Sequence, residues 1–205
     1  MGRIIANTFV SLDGVMQAPG GPDEDRSGGF RHGGWVMPFF DEEGGAVIGE
    51  EIGRLDAMLL GRGTYDIFAS YWPHMPADDP VAGPFNGRPK FVVSDTLASP
   101  TWRETTVIRR RDTVAEVEKL RRTYGETQVH GSARLLPWLV DHGLVDELRL
   151  WVFPVVLGTG KKLWLEGARA ARYRLADARS FKTGVVRMRY EPSGVPEYGS
   201  ATLET

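Results

Sequence analysis

The chain has 205 residues, 41% hydrophobic and 25% charged, with no cysteine and a formal net charge of −2. That composition suits a soluble globular protein whose core needs no staples. It excludes disulfides, thiolate metal sites and a cysteine nucleophile, and the scattered Lys and Arg form no basic stripe for nucleic acid. Residues 1–10, MGRIIANTFV, lack the apolar core of a signal peptide, and Ala6 stands where a myristoylation motif needs Ser or Thr. The longest apolar run, LWVFPVVLG, is too short to cross a bilayer. A cytoplasmic protein is expected.

In chain order, RIIANTFVSLDGVM (3–16) begins as a strand, with Ile4, Ile5, Phe9 and Val10, and breaks at Asp13-Gly14. Residues 18–38 are crowded with Gly, Pro and charge, and so long a loop in a compact domain is functional or disordered. Asp41 caps a helix running to about Leu55, with Glu42 and Glu43 in the first turn, where the dipole favours them. AMLLG (57–61) is an apolar strand, TYDIFASYW (64–72) a helix ended by Pro73, and 73–89 a second polar, Pro-rich loop. KFVVSDTL (90–97) and ETTVIRR (104–110) are strands. DTVAEVEKLRRTYG (112–125) is a helix with Asp112 at its cap, Val114, Val117 and Leu120 on one face, and Gly125 past its end. TQVH (127–130) is a strand and SARLLPWLVDHG (132–143) a helix, with Pro137 about one turn in. DELRLWVFPVVLG (146–158) is a long strand in which Pro154 predicts a bulge or an edge. YRLADARSF (173–181) and GVVRMRYEP (184–192) form a hairpin.

Strands alternate with helices up to Gly143 and then follow one another. The pattern predicts an α/β fold: a mixed, mostly parallel sheet flanked by helices, finished by an antiparallel C-terminal hairpin. One domain over 1–192 and a tail over 193–205 are expected.

The common nucleotide signatures are absent. GRGTYD (61–66) and GTGKKL (158–163) each fall short of G-x-G-x-x-G, and Val155 occupies the place of a Walker A glycine. His32, His74, His130 and His142 include no close pair at metal spacing, so no metal is expected, and no G-x-S-x-G elbow occurs. Two strand-to-helix junctions remain: LLGRGTYDIF (59–68), through Gly61, Arg62 and Thr64, and VHGSARLL (129–136), through Gly131, Ser132 and Ala133. In open α/β sheets ligands lie beyond the carboxyl ends of strands, and bare N–H groups at helix starts attract anions. These junctions, with Arg62 and Ser94, could bracket a pyrophosphate; the glycines could equally serve turns alone.

SLDGVMQ (11–17), LLGRGTYDIFASYWP (59–73), FVVSDTL (91–97) and, above all, VHGSARLLPWLVDHGLVDELRLWVFPVVLGTGKKLW (129–164) carry a resemblance. They resemble the dihydrofolate reductase-like family, specifically the reductase domain of the bifunctional riboflavin-biosynthesis deaminase–reductase. The matching stretches cover most of residues 3–190, and the zinc-binding signature of the deaminase half is missing. The resemblance implies the three-layer dihydrofolate reductase-like fold and NADPH as cofactor. It assigns Arg62 to the 2′-phosphate, Thr64 to the pyrophosphate, and Gly61 to close approach. Ser94 falls near the adenosine, and Gly131, Ser132 and Ala133 cradle the pyrophosphate through N–H groups at the helix start. Val15 and Met16 contact the nicotinamide through their backbone. True dihydrofolate reductases carry Gly-Gly where this chain has Gly131-Ser132.

Dihydrofolate reductases also place a carboxylate on the helix after a P-W segment. In GGWVMPFFDEE the candidate is Asp41, one residue further from Trp35 than in those enzymes; its other reading is a plain helix cap. Asp13 is a second polar candidate at the substrate, or simply part of a D-G turn. Trp35, Phe39, Phe40, Trp72 and Trp164 are candidate walls of a planar-ring pocket, or core. His130 reads as a packed histidine. Arg26 and Arg31 are the only basic candidates for a substrate phosphate. Loop 18–38, with little to pack against, is expected to close over the site as a lid. The expected function is NADPH-dependent reduction of a small pterin- or aminouracil-like heterocycle, in a homodimer with no nucleic-acid or membrane partner. The alternative is a non-catalytic nicotinamide-nucleotide-binding or sensing protein on the same fold.

Overall fold

The computed structural model describes residues 1–201. Six strands run parallel: β1 (Arg3–Ser11), β2 (Ala57–Gly61), β3 (Lys90–Val93), β4 (Thr105–Ile108), β5 (Glu126–His130) and β6 (Glu147–Phe153). β7 (Arg172–Ser180) and β8 (Val186–Gly194) form the antiparallel hairpin, joined to β6 through β8. The sheet order is β4-β3-β2-β5-β1-β6-β8-β7. The helices are α1 (Glu42–Gly53), α2 (Arg62–Tyr71), α3 (Ala82–Gly87), α4 (Thr113–Thr123) and α5 (Leu135–Asp141). Alternation along the strands builds three layers. Ile4, Ala6 and Val10 of β1 and Val129 of β5 pack against Val117 and Leu120 of α4 and Leu136 and Leu139 of α5. The opposite face carries α1, α2 and α3 over Met58, Leu60 and Val92. This is the mixed α/β arrangement that the sequence pattern predicts. No helix among the described residues is long and apolar enough to cross a membrane.

Several local expectations change. Residues 73–89 are not all loop, because AGPFNG folds as α3 despite its Gly and Pro. Tertiary capping outweighs propensity there. Asp79 Oδ1 accepts from the N–H groups of Val81 and Ala82, at 2.9 and 2.8 Å. At the other end the buried Lys90 ammonium donates to the carbonyls of Phe85, Asn86 and Arg88. In α4 the inward row is Thr113, Val117 and Leu120, while Val114 is exposed and Asp112 makes no capping bond. The strand expected over 146–158 stops at Phe153, where Pro154 ends it. β8 extends two residues into the expected tail, and residues 202–205 of that tail lie outside the described residues.

Loop 18–38 has more to pack against than its composition suggests. Ala18, Phe30, Trp35 and Val36 are buried with Val15 and Phe153. The Trp35 indole donates to the Gln17 carbonyl at 2.8 Å, and Lys161 Nζ meets Asp25 Oδ2 at 2.5 Å. The lid expectation loses its premise, since the segment is anchored at both its core and its rim.

The sheet face beneath α1 carries charge where a core is usually apolar. Arg149 Nε donates to Glu147 Oε1 at 2.6 Å, and its Nη1 to Glu126 Oε1 at 3.0 Å. Arg189 Nη2 donates to Glu147 Oε2 at 2.7 Å, and Arg187 Nε to Glu51 Oε1 at 2.8 Å. Burial pushes the Glu147 carboxyl up, but the hydrogen bonds and charges of Arg189 and Arg149 pull harder and hold it at about 2, against an ordinary 4.5. A carboxylate held low stabilises the fold above its unfolded pKa and loses that contribution as pH falls through its folded pKa. Breaking one partner of a buried ion pair costs about 3–5 kcal/mol. Glu147→Gln is therefore expected to destabilise the protein by about that much at neutral pH. The gap between parent and variant should shrink as pH falls from 4.5 towards 2, as read by denaturant unfolding along that range.

Candidate active site

β2 and β5 run side by side with Leu59 opposite Val129, so Gly61 and Gly131 end neighbouring strands at the same level. A Cβ on Gly61 would overlap the Ser132 hydroxyl and lie 3.1 Å from Ser132 Cβ. A Cβ on Gly131 would lie 3.1 Å from Thr64 Oγ1, and φ there is +66°, a left-handed value that favours glycine. The two junctions therefore touch, and the missing side chains make the contact possible. Gly131 N–H donates to the Asn7 carbonyl, at 3.3 Å, and the Gly131–Ser132 peptide is cis. The helix contribution is divided differently from the expectation. α2 starts directly at Arg62, so its free N–H groups lie at the end of β2. α5 starts only at Leu135, so residues 131–133 form a turn before the helix and not its first turn.

Arg62 is partly exposed on α2. Its Nε donates to both oxygens of Asp66 at 2.8 Å, and among the described residues its Nη groups make no hydrogen bond. Gly61, Val93 and Ile108 are register partners across β2, β3 and β4, which puts Arg62, Ser94 and Arg109 next in line beyond the strand ends. Ser94 is buried, and its Oγ accepts from the N–H groups of Thr96 and Leu97 at 3.2 and 3.1 Å. The same Oγ lies 3.5 Å from Thr96 Oγ1, within reach of a hydroxyl–hydroxyl bond. Ala133 packs at the edge of the core beside α5.

Val15 and Met16 are buried beyond the end of β1, and most of their backbone is committed. Val15 exchanges hydrogen bonds with Ser11, and Met16 N–H donates to the Lys161 carbonyl. The Met16 carbonyl alone accepts no bond among the described residues. Asp13 is committed too. It takes the Ser11 hydroxyl at 2.6 Å and the N–H groups of Leu157 and Gly158 at 3.1 and 2.9 Å. The Ser11 bond, with those N–H bonds, holds its carboxyl at about 2 despite some desolvation. Both oxygens tie the 155–158 turn to β1, so Asp13 serves there as a clasp. Trp35 is likewise a packing residue, edge-on to Phe153 at 5.5 Å.

Asp41 caps α1, accepting from Gly44 N–H at 2.7 Å, and its Oδ2 takes no hydrogen bond among the described residues. It lines a shallow hollow with Phe39, Phe40, Trp151, Phe153 and Phe181. Trp72 packs on Phe85, and Trp164 is exposed. Arg26 is drawn to Asp23, and Arg31 lies on the surface. A wider cavity of about 290 Å³ opens between loop 18–38 and the turn at Thr159–Lys161, over Gln17 and Phe30.

The sequence reading passed over Asn7 and Gln128. Both are polar residues on the α1 face of interior strands, and Gln128 links Asn7 to His130. The available signal was the alternation Glu126, Gln128, His130 against Thr127 and Val129, which sets a polar row on one face of a central strand.

Comparison with known proteins adds the lineage. YyaP of Bacillus subtilis (strain 168), described as uncharacterized, is 27% identical over 196 residues, covering 94% of this chain and 96% of YyaP. A putative riboflavin biosynthesis protein from Shewanella sp. PV-4 superposes with a TM-score of 0.68 at 20% identity, over 93% of this chain and 99% of that one. A Thermotoga maritima diaminohydroxyphosphoribosylaminopyrimidine deaminase/5-amino-6-(5-phosphoribosylamino)uracil reductase superposes with a TM-score of 0.62 at 13% identity, over 94% of this chain and 57% of that protein. The model of the RibD C-terminal domain matches residues 3–187, and the chain belongs to that family.

Proposed function

We propose that the chain is an NADPH-dependent reductase of a small heterocycle. Its family makes it an oxidoreductase of the riboflavin-pathway reductase type. The observation that carries the cofactor is the contact between the two glycine junctions. The absence of a Cβ at Gly61 and Gly131 brings the two turns together, with the free N–H groups at the start of α2 beside them. A pyrophosphate fits that donor set, with Thr64 and Ser132 beside it. Ser94 stands on the adenosine side, and Arg62 offers its two Nη groups to a 2′-phosphate. The Met16 carbonyl suits a carboxamide N–H of the nicotinamide. Bound NADPH would supply a hydride; the protein's part is to orient, to exclude water and to place charge. Asp41 Oδ2, or a water beside it, supplies the proton. The half-buried Leu150, Val152, Met188 and Tyr190, with the exposed Leu175, offer an apolar face to a second copy.

Two expectations test this reading. Arg62→Ala removes a charge-assisted hydrogen bond, so NADPH should bind about tenfold to a hundredfold more weakly while NADH is unchanged. Dissociation constants for both cofactors, measured by tryptophan quenching at low and moderate salt, decide it. Salt should narrow the parent's preference for NADPH, because Arg62 is partly exposed. Equal losses for both cofactors would place the guanidinium elsewhere. Saturable NADPH binding with no turnover of dihydropterin or aminouracil substrates would favour the sensing alternative.

The glycine junctions have their own test. Ser132→Ala should be mild, because the donors are main-chain groups. Gly131→Val should abolish NADPH binding, since its β-branched side chain meets Thr64 and is disfavoured at that φ. Normal folding with normal NADPH affinity in Gly131→Val would move the phosphate off this turn.

A further inference from the structure

A chain of hydrogen bonds fixes which atoms are left without a partner where Asn7, midway along β1, lies beside His130 at the end of β5, whose ring packs edge-on to Phe85 at 4.8 Å. Glu126 is a carboxylate bonded to Arg149, so it can only accept. Gln128 Nε2 donates to Glu126 Oε1 and to the Glu51 carbonyl, each at 2.7 Å. Two acceptors on that side settle the amide's orientation, and Gln128 Oε1 is therefore the atom on the other side. Oε1 receives Asn7 Nδ2 at 2.9 Å and His130 Nε2 at 3.1 Å. Both must donate. The neutral His130 ring then carries its proton on Nε2 and a lone pair on Nδ1. Burial and the neighbouring Arg149 charge keep that ring neutral, its pKa pushed down to about 3.

Two acceptors are left over. Asn7 Oδ1 is buried without a hydrogen-bond partner, and His130 Nδ1 has none among the described residues. Asn7 and His130 are register partners on adjacent strands, both on the α1 face, and the next residue is Gly131 of the cofactor turn. A buried acceptor with no donor costs about 1–3 kcal/mol, so this pair is poised for donors.

We infer that Asn7 Oδ1 and His130 Nδ1 form a two-acceptor subsite that reads an N–H donor edge of a neutral, planar substrate, such as an amino-substituted pyrimidinedione. An anionic group placed there would face two lone pairs, so the subsite takes the ring of the substrate and not a phosphate. This rests on the reductase reading for its ligand, while the direction of the hydrogen bonds rests on the chain alone.

Two measurements test it. The first is ¹⁵N NMR of the histidine side chains in the free protein, with His130 assigned by its loss in His130→Gln. The expected result is a neutral Nε2–H tautomer throughout about pH 5.5 to 8. A proton on Nδ1 overturns the inference, whatever becomes of the cofactor assignment. The second uses two probes in the presence of saturating NADP⁺: 5,6-diaminouracil, and 1,3,5,6-tetramethyluracil, which keeps the ring and has no N–H. The parent should prefer the diamino ring by about tenfold or more, and its binding should move the Nδ1 resonance. Asn7→Leu should bring the two affinities within about twofold. Equal binding of the probes by the parent, binding of neither, or a preference that persists in Asn7→Leu each overturns the inference. So does an Nδ1 shift produced by NADP⁺ alone, which would assign the donor to the nicotinamide carboxamide. Failure of NADPH to bind the parent would remove the reductase reading instead and leave the tautomer result standing.

Discussion

A methyl group at position 61 would overlap the Ser132 side chain, and one at position 131 would press on Thr64. The closeness of the ends of β2 and β5 depends on the absence of both. Parallel pairing sets the strands side by side, but pairing alone stops at Leu59 and Val129. Beyond it the chains must diverge into α2 and towards α5. Glycine lets them diverge while still touching, so the start of α2 and the turn before α5 lie side by side. Arg62, Ser94 and Arg109 then follow from register, since each stands one residue past a strand end in three successive strands.

The charged face beneath α1 is a cost that stability does not explain. Glu147 and Arg149 are buried, and removing such charges from water is unfavourable even when they pair. An apolar face would serve the core as well. What the charges add is direction. Glu126 can only accept, so the Gln128 amide points one way, and the polarity passes through it to Asn7 and His130. The Glu51 carbonyl, which also can only accept, holds the amide the same way round. The ion pairs on this face thus bias the hydrogen-bonding character of Asn7 and His130, which a purely apolar core could not do.

The order of strands and helices was legible because it rests on periodicity. AMLLG and ETQVH stand as strands within a residue of their expected bounds, and the strand expected over 90–97 starts at Lys90 but ends at Val93. α3 was illegible because its two capping groups, Asp79 and Lys90, act from outside its own apolar pattern. The packing of loop 18–38 was missed for a related reason: Phe30 and Trp35 lie in Gly-rich surroundings without period, and only the fold brings them onto Phe153. At the site, residues whose backbone matters were found from the glycines. Side-chain roles were harder. Asp13 reads from sequence as either a turn residue or a ligand, and only the positions of Leu157 and Gly158, 144 and 145 residues away, show what its carboxylate holds. Asn7 carries no motif, and its importance comes from what it fails to bond.

Arg62 shows how a modest interaction can prepare a stronger one. Its pair with Asp66 lies one helical turn away and is partly exposed, so it stabilises the fold by no more than about 1 kcal/mol. Its geometry matters more. Both Asp66 oxygens sit on Nε, which occupies the inner edge of the guanidinium and leaves the Nη groups without a partner among the described residues. A phosphate approaching those groups need not displace the carboxylate. A side chain as flexible as arginine would otherwise lose rotamer freedom on binding, and Asp66 has already restricted it. The same carboxylate repels an incoming anion, and salt weakens that repulsion and the attraction of the exposed guanidinium alike, so the gain comes from direct, charge-assisted Nη contacts. The balance favours a ligand that brings an anionic group to the guanidinium fork itself, which is what the proposed assignment asks of a 2′-phosphate and what a bare ribose hydroxyl lacks.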